Sequence, residues 1–190
     1  MPRATPMHDP QILRAIAHPV RNRILAELDA RGSLRAADVA RELDLPANQA
    51  SFHLRQLAKY GLIEEDPDAA RDKRDRVWRT VNPEGFSVEM SEVEQQPGGK
   101  AASRVFRRTK RDWGHLVVDA VLSDEPRKGR WSSLTDTAVL LTRAEAQQLS
   151  EEIEEVLSRW GNRAVPDDQE ERMTYLYWAA ILPYPAVDEG

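Results

Sequence analysis

The chain has 190 residues, 27 Lys+Arg against 32 Asp+Glu, 41% hydrophobic residues and no cysteine. That length suits one large or two small domains, and the missing cysteines exclude disulfides, thiolate metal sites and a cysteine nucleophile. No apolar run approaches the roughly 18 residues of a membrane span, and Met1 to Pro10 lacks an apolar signal core, which points to the cytoplasm.

Charge is unevenly spread. Residues 1–82 carry 14 Lys+Arg and 12 Asp+Glu, whereas residues 83–190 carry 13 and 20. A mildly basic front beside an acidic back suggests two parts with different partners.

Asp9-Pro10 predicts a helix start, cap then proline, and Ile12, Leu13 and Ile16 form a stripe that stops at His18-Pro19. A second helix carries Ile24, Leu25 and Leu28 and ends near Gly32. Val39, Ala40 and Leu43 are the inner face of a third short helix. Asp44-Leu45-Pro46 is a tight turn, and Ala47 to Tyr60 is a fourth helix with Ala50, Leu54 and Leu57 inward. Gly61 closes it in the left-handed conformation. Leu62-Ile63 and Val77 to Val81 read as two strands joined by the polar loop Asp66 to Arg76.

Two short helices across a tight turn, then a hairpin, describe a winged helix-turn-helix, whose second helix lies in the DNA major groove. With Ala50, Leu54 and Leu57 inward, Asn48, Gln49, Ser51, Phe52, His53, Arg55 and Gln56 divide between surface and flank. Gln and Asn suit adenine, Arg suits guanine, and Ser is tolerant. For Phe52 two contacts stay open, a thymine methyl or a fold-back onto the wing. At the hairpin tip Arg71, Lys73, Arg74 and Arg76 suit phosphate or the minor groove, and Asp66, Asp68 and Asp72 weaken that attraction; the alternative is a solvated turn of mixed charge.

Leu13-Arg-Ala-Ile-Ala-His-Pro-Val-Arg-Asn-Arg-Ile-Leu25 resembles the opening signature of ArsR/SmtB-type winged-helix transcriptional regulators. Ser51-Phe-His-Leu-Arg-Gln-Leu-Ala-Lys-Tyr-Gly-Leu-Ile63 is similar to that family's recognition-helix pattern. The resemblance covers about residues 11–82. It implies a homodimer that occupies a double-stranded operator and leaves it when an effector binds, with Asn48, Gln49, Ser51, Phe52 and His53 at the DNA and Arg55 close by. It also implies that a helix after the wing builds the dimer interface. Three departures stand out: there are no metal-sensing cysteines, Asp44 replaces the usual turn glycine, and Arg35-Ala36-Ala37 lacks a Ser or Thr cap.

Gln95 to Lys100 reads as loop or linker. From Ala101 to Leu122 a long helix gathers Ala102, Val105, Phe106, Thr109, Trp113, Leu116, Val117, Ala120 and Val121 on one broad apolar face. Gly114 inside it costs about 1 kcal/mol relative to alanine and allows close approach of a neighbouring helix. The other face carries Arg104, Arg107, Arg108, Lys110 and Arg111, either a solvated basic face or further phosphate contacts. Thr142 to Glu145 is a capping box opening a helix to about Arg159, with Leu149, Ile153, Val156, Leu157 and Trp160 as its buried stripe. Ala138 to Leu141 and Met173 to Leu182 read as strands. Aromatic residues including Trp113, Trp131, Trp160, Tyr175, Tyr177 and Trp178 belong to a core or line an effector pocket.

Asp112, His115 and Asp119 share one helix face, but a set with a single histidine from each subunit is a poor zinc set, so no metal is assigned. Gly98-Gly99-Lys100 fails as a phosphate loop, because Glu94 and Ala101 stand where Gly and Ser/Thr are needed. No catalytic motif is present, and no cofactor or enzymatic activity is expected.

The reading is an α+β chain: an N-terminal winged helix-turn-helix over 1–82, a linker over 83–100, and a dimerisation and effector-binding α+β region over 101–190. Its function is expected to be that of a homodimeric, cytoplasmic, sequence-specific regulator, a repressor released by a small-molecule effector bound without thiolates. The alternative is a winged-helix protein-interaction module without specific DNA binding.

Overall fold

Asp9 starts the first helix as expected, its carboxylate accepting the Gln11 amide at 2.7 Å, with Pro10 in the first turn. The computed structural model describes residues 5–6, 9–70, 76–82, 86–123, 131–166 and 168–184. Residues 1–125 form one compact unit and 126–190 another.

In the first unit, α1 (Pro10–Ile16) and α2 (Pro19–Arg31) precede α3 (Ala36–Glu42) and α4 (Ala47–Lys59). Asp44 takes the turn between α3 and α4 at φ 51°, the left-handed conformation that a short polar side chain tolerates. The missing Ser/Thr cap on α3 is replaced from the other end. Asp38 accepts the Arg35 backbone amide at 3.2 Å and also grips the Arg35 guanidinium at 2.9 and 3.1 Å. Gly61 closes α4 at φ 68°, again left-handed.

The sheet is antiparallel in the order β2 (Leu34–Arg35), β4 (Val77–Thr80), β3 (Ile63–Glu65), with Leu34 opposite Trp78 and Ile63 opposite Thr80. A second, parallel pair joins β1 (Thr5–Pro6) to β5 (Phe86–Ser87). Ile24, Leu28, Val39, Leu54, Leu57 and Leu62 form one core that welds α2, α3 and α4 to the sheet. Each such side chain contributes about 1.5–3 kcal/mol by leaving water. The chain is thus α+β, a winged helix-turn-helix followed by a long helix.

The stretch expected as a linker is structured in part: besides β5 it contains α5 (Met90–Gln95). The long helix, α6 (Gly99–Val121), begins two residues earlier than expected. Its first turns pack on α1 and α5 through a second core of Leu13, Val93 and Ala102. The approach is close, since a Cβ on Gly99 would lie 1.7 Å from the Val93 carbonyl oxygen. The expected apolar face of α6 therefore divides: Ala102 is buried, Phe106, Trp113 and Val117 are half-buried, and Val105 and Leu116 are exposed.

The second unit corrects several expectations. Thr142 and Glu145 do form the capping box of α7 (Arg143–Gly161), with bonds of 2.7 and 3.2 Å. Yet Leu149 and Ile153 are only half-buried, and Val156, Leu157 and Trp160 are exposed, so the stripe is not a buried one. Residues 138–141 and 173–182 form no strand. A strand needs a partner edge for its backbone groups, and neither segment pairs with one. Trp131, Trp160, Tyr175, Tyr177 and Trp178 are exposed, so they do not form the expected core. Among the described residues no helix is long and apolar enough to cross a membrane.

Candidate nucleic-acid interface

The face of α4 opposite its core stripe is open. Ala50, Leu54 and Leu57 are wholly buried, and that anchors the helix. Asn48, Gln49, Phe52 and Arg55 are exposed, while Ser51 and Gln56 are half-buried. Arg55 lies back along the helix, its Nε–H donating to the Ser51 carbonyl at 3.1 Å. The Asn48 side-chain oxygen accepts the Gln49 amide at 3.0 Å. Pro46 at the N-cap offers no capping side chain, so the positive end of the helix dipole stays open.

His53 is the exception among the expected contacts. It is 9% exposed and turns inward, away from the outer face. Its ring meets His18, with centroids 4.7 Å apart, and Phe52 stands edge-on to it at 5.3 Å. The Phe52 ring is half exposed, at 52%, and the tip of the wing, one of the two contacts open to it in the sequence, lies outside the described residues. The inward turn of His53 had a sequence signal: Ala50, His53, Leu54 and Leu57 follow the i, i+3, i+4, i+7 spacing of a helix stripe. Its polarity argued for the surface, and packing against His18 won.

Lys73 and Arg74, the expected tip cations, lie outside the described residues, as does Arg71. At the wing root the cations are compensated. Arg76 reaches Glu65 at 3.4 Å, and Arg79 reaches Glu64 at 2.8 Å and Asp66 at 3.7 Å. The Asp66 carboxyl also accepts the Ser33 hydroxyl, and that bond together with Arg79 holds its pKa below the ordinary carboxylate value. Exposed pairs of this kind are worth little, so Arg76 can exchange Glu65 for a phosphate at small cost.

A string of ion pairs stiffens the helices behind α4. Glu27, 1% exposed, binds Arg23 at 2.7 Å and Arg31 at 2.9 Å, and Arg31 continues to Glu42 on α3 at 2.9 Å. Asp38 collects Arg35 and Arg41, and its carboxyl is pulled down to about 2, chiefly by the Arg35 hydrogen bond. On α6, Arg107 pairs with Glu94 at 2.9 Å and Arg108 approaches Asp112 at 4.0 Å. Lys110, expected on the solvated basic face, is instead half-buried over the Phe106 ring. Among the described residues no group of three or more His, Asp or Glu is arranged to hold a metal ion.

Residues 16–66 match a helix-turn-helix domain family. The match spans the end of α1 through β3, the part of the chain that builds and supports the α3–α4 pair. No curated protein sequence matches significantly. Similar solved structures include a transcriptional regulator homologue from Pyrococcus horikoshii OT3, 21% identical over 54% of this chain and 87% of that one, with a TM-score of 0.33. An apo-form mutant of ZitR from Lactococcus lactis is 16% identical over 76% of this chain and 83% of that one, with a TM-score of 0.32. Apo wild-type MarR from E. coli is 14% identical over 78% of this chain and 88% of that one, with a TM-score of 0.34. At these identities and scores the neighbours add no weight to a function; the helix-turn-helix match and the geometry of α4 do.

Proposed function

We propose that this chain is a homodimeric, sequence-specific transcriptional regulator of the ArsR type, a non-enzymatic repressor of the cytoplasm that leaves its operator when a small-molecule effector binds. The observation that carries the reading is the outer face of α4. Asn48, Gln49 and Arg55 stand exposed on a helix whose opposite stripe is fully buried, within the segment that matches a helix-turn-helix domain. Those residue types read adenine and guanine edges in the major groove. Ser51 and Gln56 flank them, and Arg76 with the tip residues Lys73 and Arg74 serves the backbone.

A second copy of the chain fits the exposed apolar residues Val105 and Leu116, which share one face of α6 at 51% and 61% exposure. Exposed apolar side chains on one helix face favour association. Two recognition helices in a dimer call for a palindromic operator with half-sites about 34 Å apart. The domain assignment follows: 1–82 reads DNA, and 101–190 supplies dimerisation and effector binding.

One observation favours the interaction-module reading, the exposed Phe52 ring in the middle of the α4 face, since aromatic residues are common anchors for protein partners. Selection from a random duplex library, with purified protein at about 150 mM salt, separates the two. A palindromic motif that the Gln49→Ala, Arg55→Ala variant loses supports the regulator. A folded dimer that enriches nothing at any salt rejects it.

A further inference from the structure

Between α2 and α6 lies an open-mouthed cleft of about 430 Å³, within the size range of small-molecule sites. Its walls are apolar: Ile16 from α1, Leu25 from α2, Val88 from the segment before α5, Met90 from the start of α5, and Phe106 from α6. Three polar side chains face it, Asn22, Asp29 and Lys110. The two charges are compensated differently. Asp29 has a hydrogen bond with Thr80. Lys110 meets only the face of Phe106, 5.5 Å from ammonium to ring centroid, and no carboxylate among the described residues. A lysine half-buried against an apolar wall is costly to its own charge, and burial lowers its pKa. Filling the wall alone would be served better by leucine or methionine.

We propose that this cleft binds a small monoanion with an apolar tail, the anionic group on Lys110 and the tail between Leu25, Met90 and Phe106. Lys110 supplies the cation that an anion needs, and the remaining walls exclude water from the tail. Asn22 offers a further hydrogen bond. The floor of the cleft is α2, and Leu25 belongs to the same core as Leu54 and Leu57 of α4. Occupancy therefore bears on the seating of the recognition helix, a consequence that rests on the regulator reading, whereas binding itself does not.

The test uses the full chain labelled with 13C at its methionine methyls, of which there are four, with the Met90 signal identified by Met90→Leu. Octanoate is the probe and octanamide its neutral counterpart. The expected result is a saturable shift of the Met90 signal with octanoate. Lys110→Met should weaken octanoate roughly tenfold and leave octanamide unchanged, and Lys110→Arg should restore octanoate binding. The proposal is overturned if the Met90 signal stays still, if Lys110→Met binds octanoate as well as the native chain does, or if Met173 shifts in parallel, which marks unselective adsorption. No DNA is present in this titration, so its failure is separate from a failed operator selection.

Discussion

The rings of His18 and His53 meet with centroids 4.7 Å apart, so that the corner between α1 and α2 is keyed directly to α4. The Nδ1 atoms of both are buried and find no hydrogen-bond partner among the described residues, as does Nε of Arg21 beside them. Burial, then Arg21, lowers both histidine pKa values below the ordinary 6.5, and the His53 ring adds to the effect on His18. Tyr60 faces Arg21 from the end of α4, and the uncharged Phe52 edge covers His53.

A depressed histidine pKa means that the unfolded chain takes up protons first. Stability is complete above 6.5 and declines as pH falls through the lower, folded-state values. Thermal unfolding should therefore drop between pH 7 and 5, and DNA affinity with it. His53→Leu, which cannot titrate, should flatten both slopes. An unchanged slope in that variant would assign the acid sensitivity elsewhere.

Asp29 has the opposite sign. Asp29 is exposed at its surface on α2 and lines the mouth of the cleft, but the protein mass on its inner side raises its carboxyl to about 6. The folded state thus holds the proton more tightly than the unfolded chain, and the ionised carboxylate is a burden above pH 6. Asp29→Asn should stabilise the chain by up to about 1 kcal/mol at pH 8, discounted for solvent access. The gain should vanish near pH 4, and melting curves at the two pH values will show whether it does.

Glu27→Ala should cost about 1–3 kcal/mol in chemical denaturation, below the range for a fully buried pair because Arg23 and Arg31 can turn to water. The larger effect should be on α3. Arg31 bridges Glu27 to Glu42, so amide exchange in α3 should rise more than in α6.

On α4 the two faces should respond in different currencies of measurement. Gln49→Ala and Arg55→Ala should each lose about 1–3 kcal/mol of discrimination on the selected operator, with melting unchanged. Leu54→Ala, at a wholly buried position, should lose about 2–5 kcal/mol of stability. If Arg55→Ala lowers stability instead of specificity, the outer face is misassigned.

Much of the first unit was legible because its signals are local. Asp9-Pro10 caps a helix, Asp44 takes a left-handed turn, Gly61 ends α4, and the stripe Ala50, Leu54, Leu57 repeats at helical spacing; each depends on residues a few positions apart. The same locality explains Thr142 and Glu145 on α7. Local signals therefore sufficed for α1 to α4, α6, α7 and the inner stripe of α4, while α5, which lies in the stretch expected as a linker, carried no such signal.

Tertiary structure decided the rest, because it depends on distant partners. His53 turns inward only because His18 waits there. Lys110 leaves the basic face of α6 to lie half-buried over the Phe106 ring. Residues 138–141 and 173–182 have strand-like composition but no edge to pair with, and a strand is made by its neighbour's hydrogen bonds rather than by its own side chains.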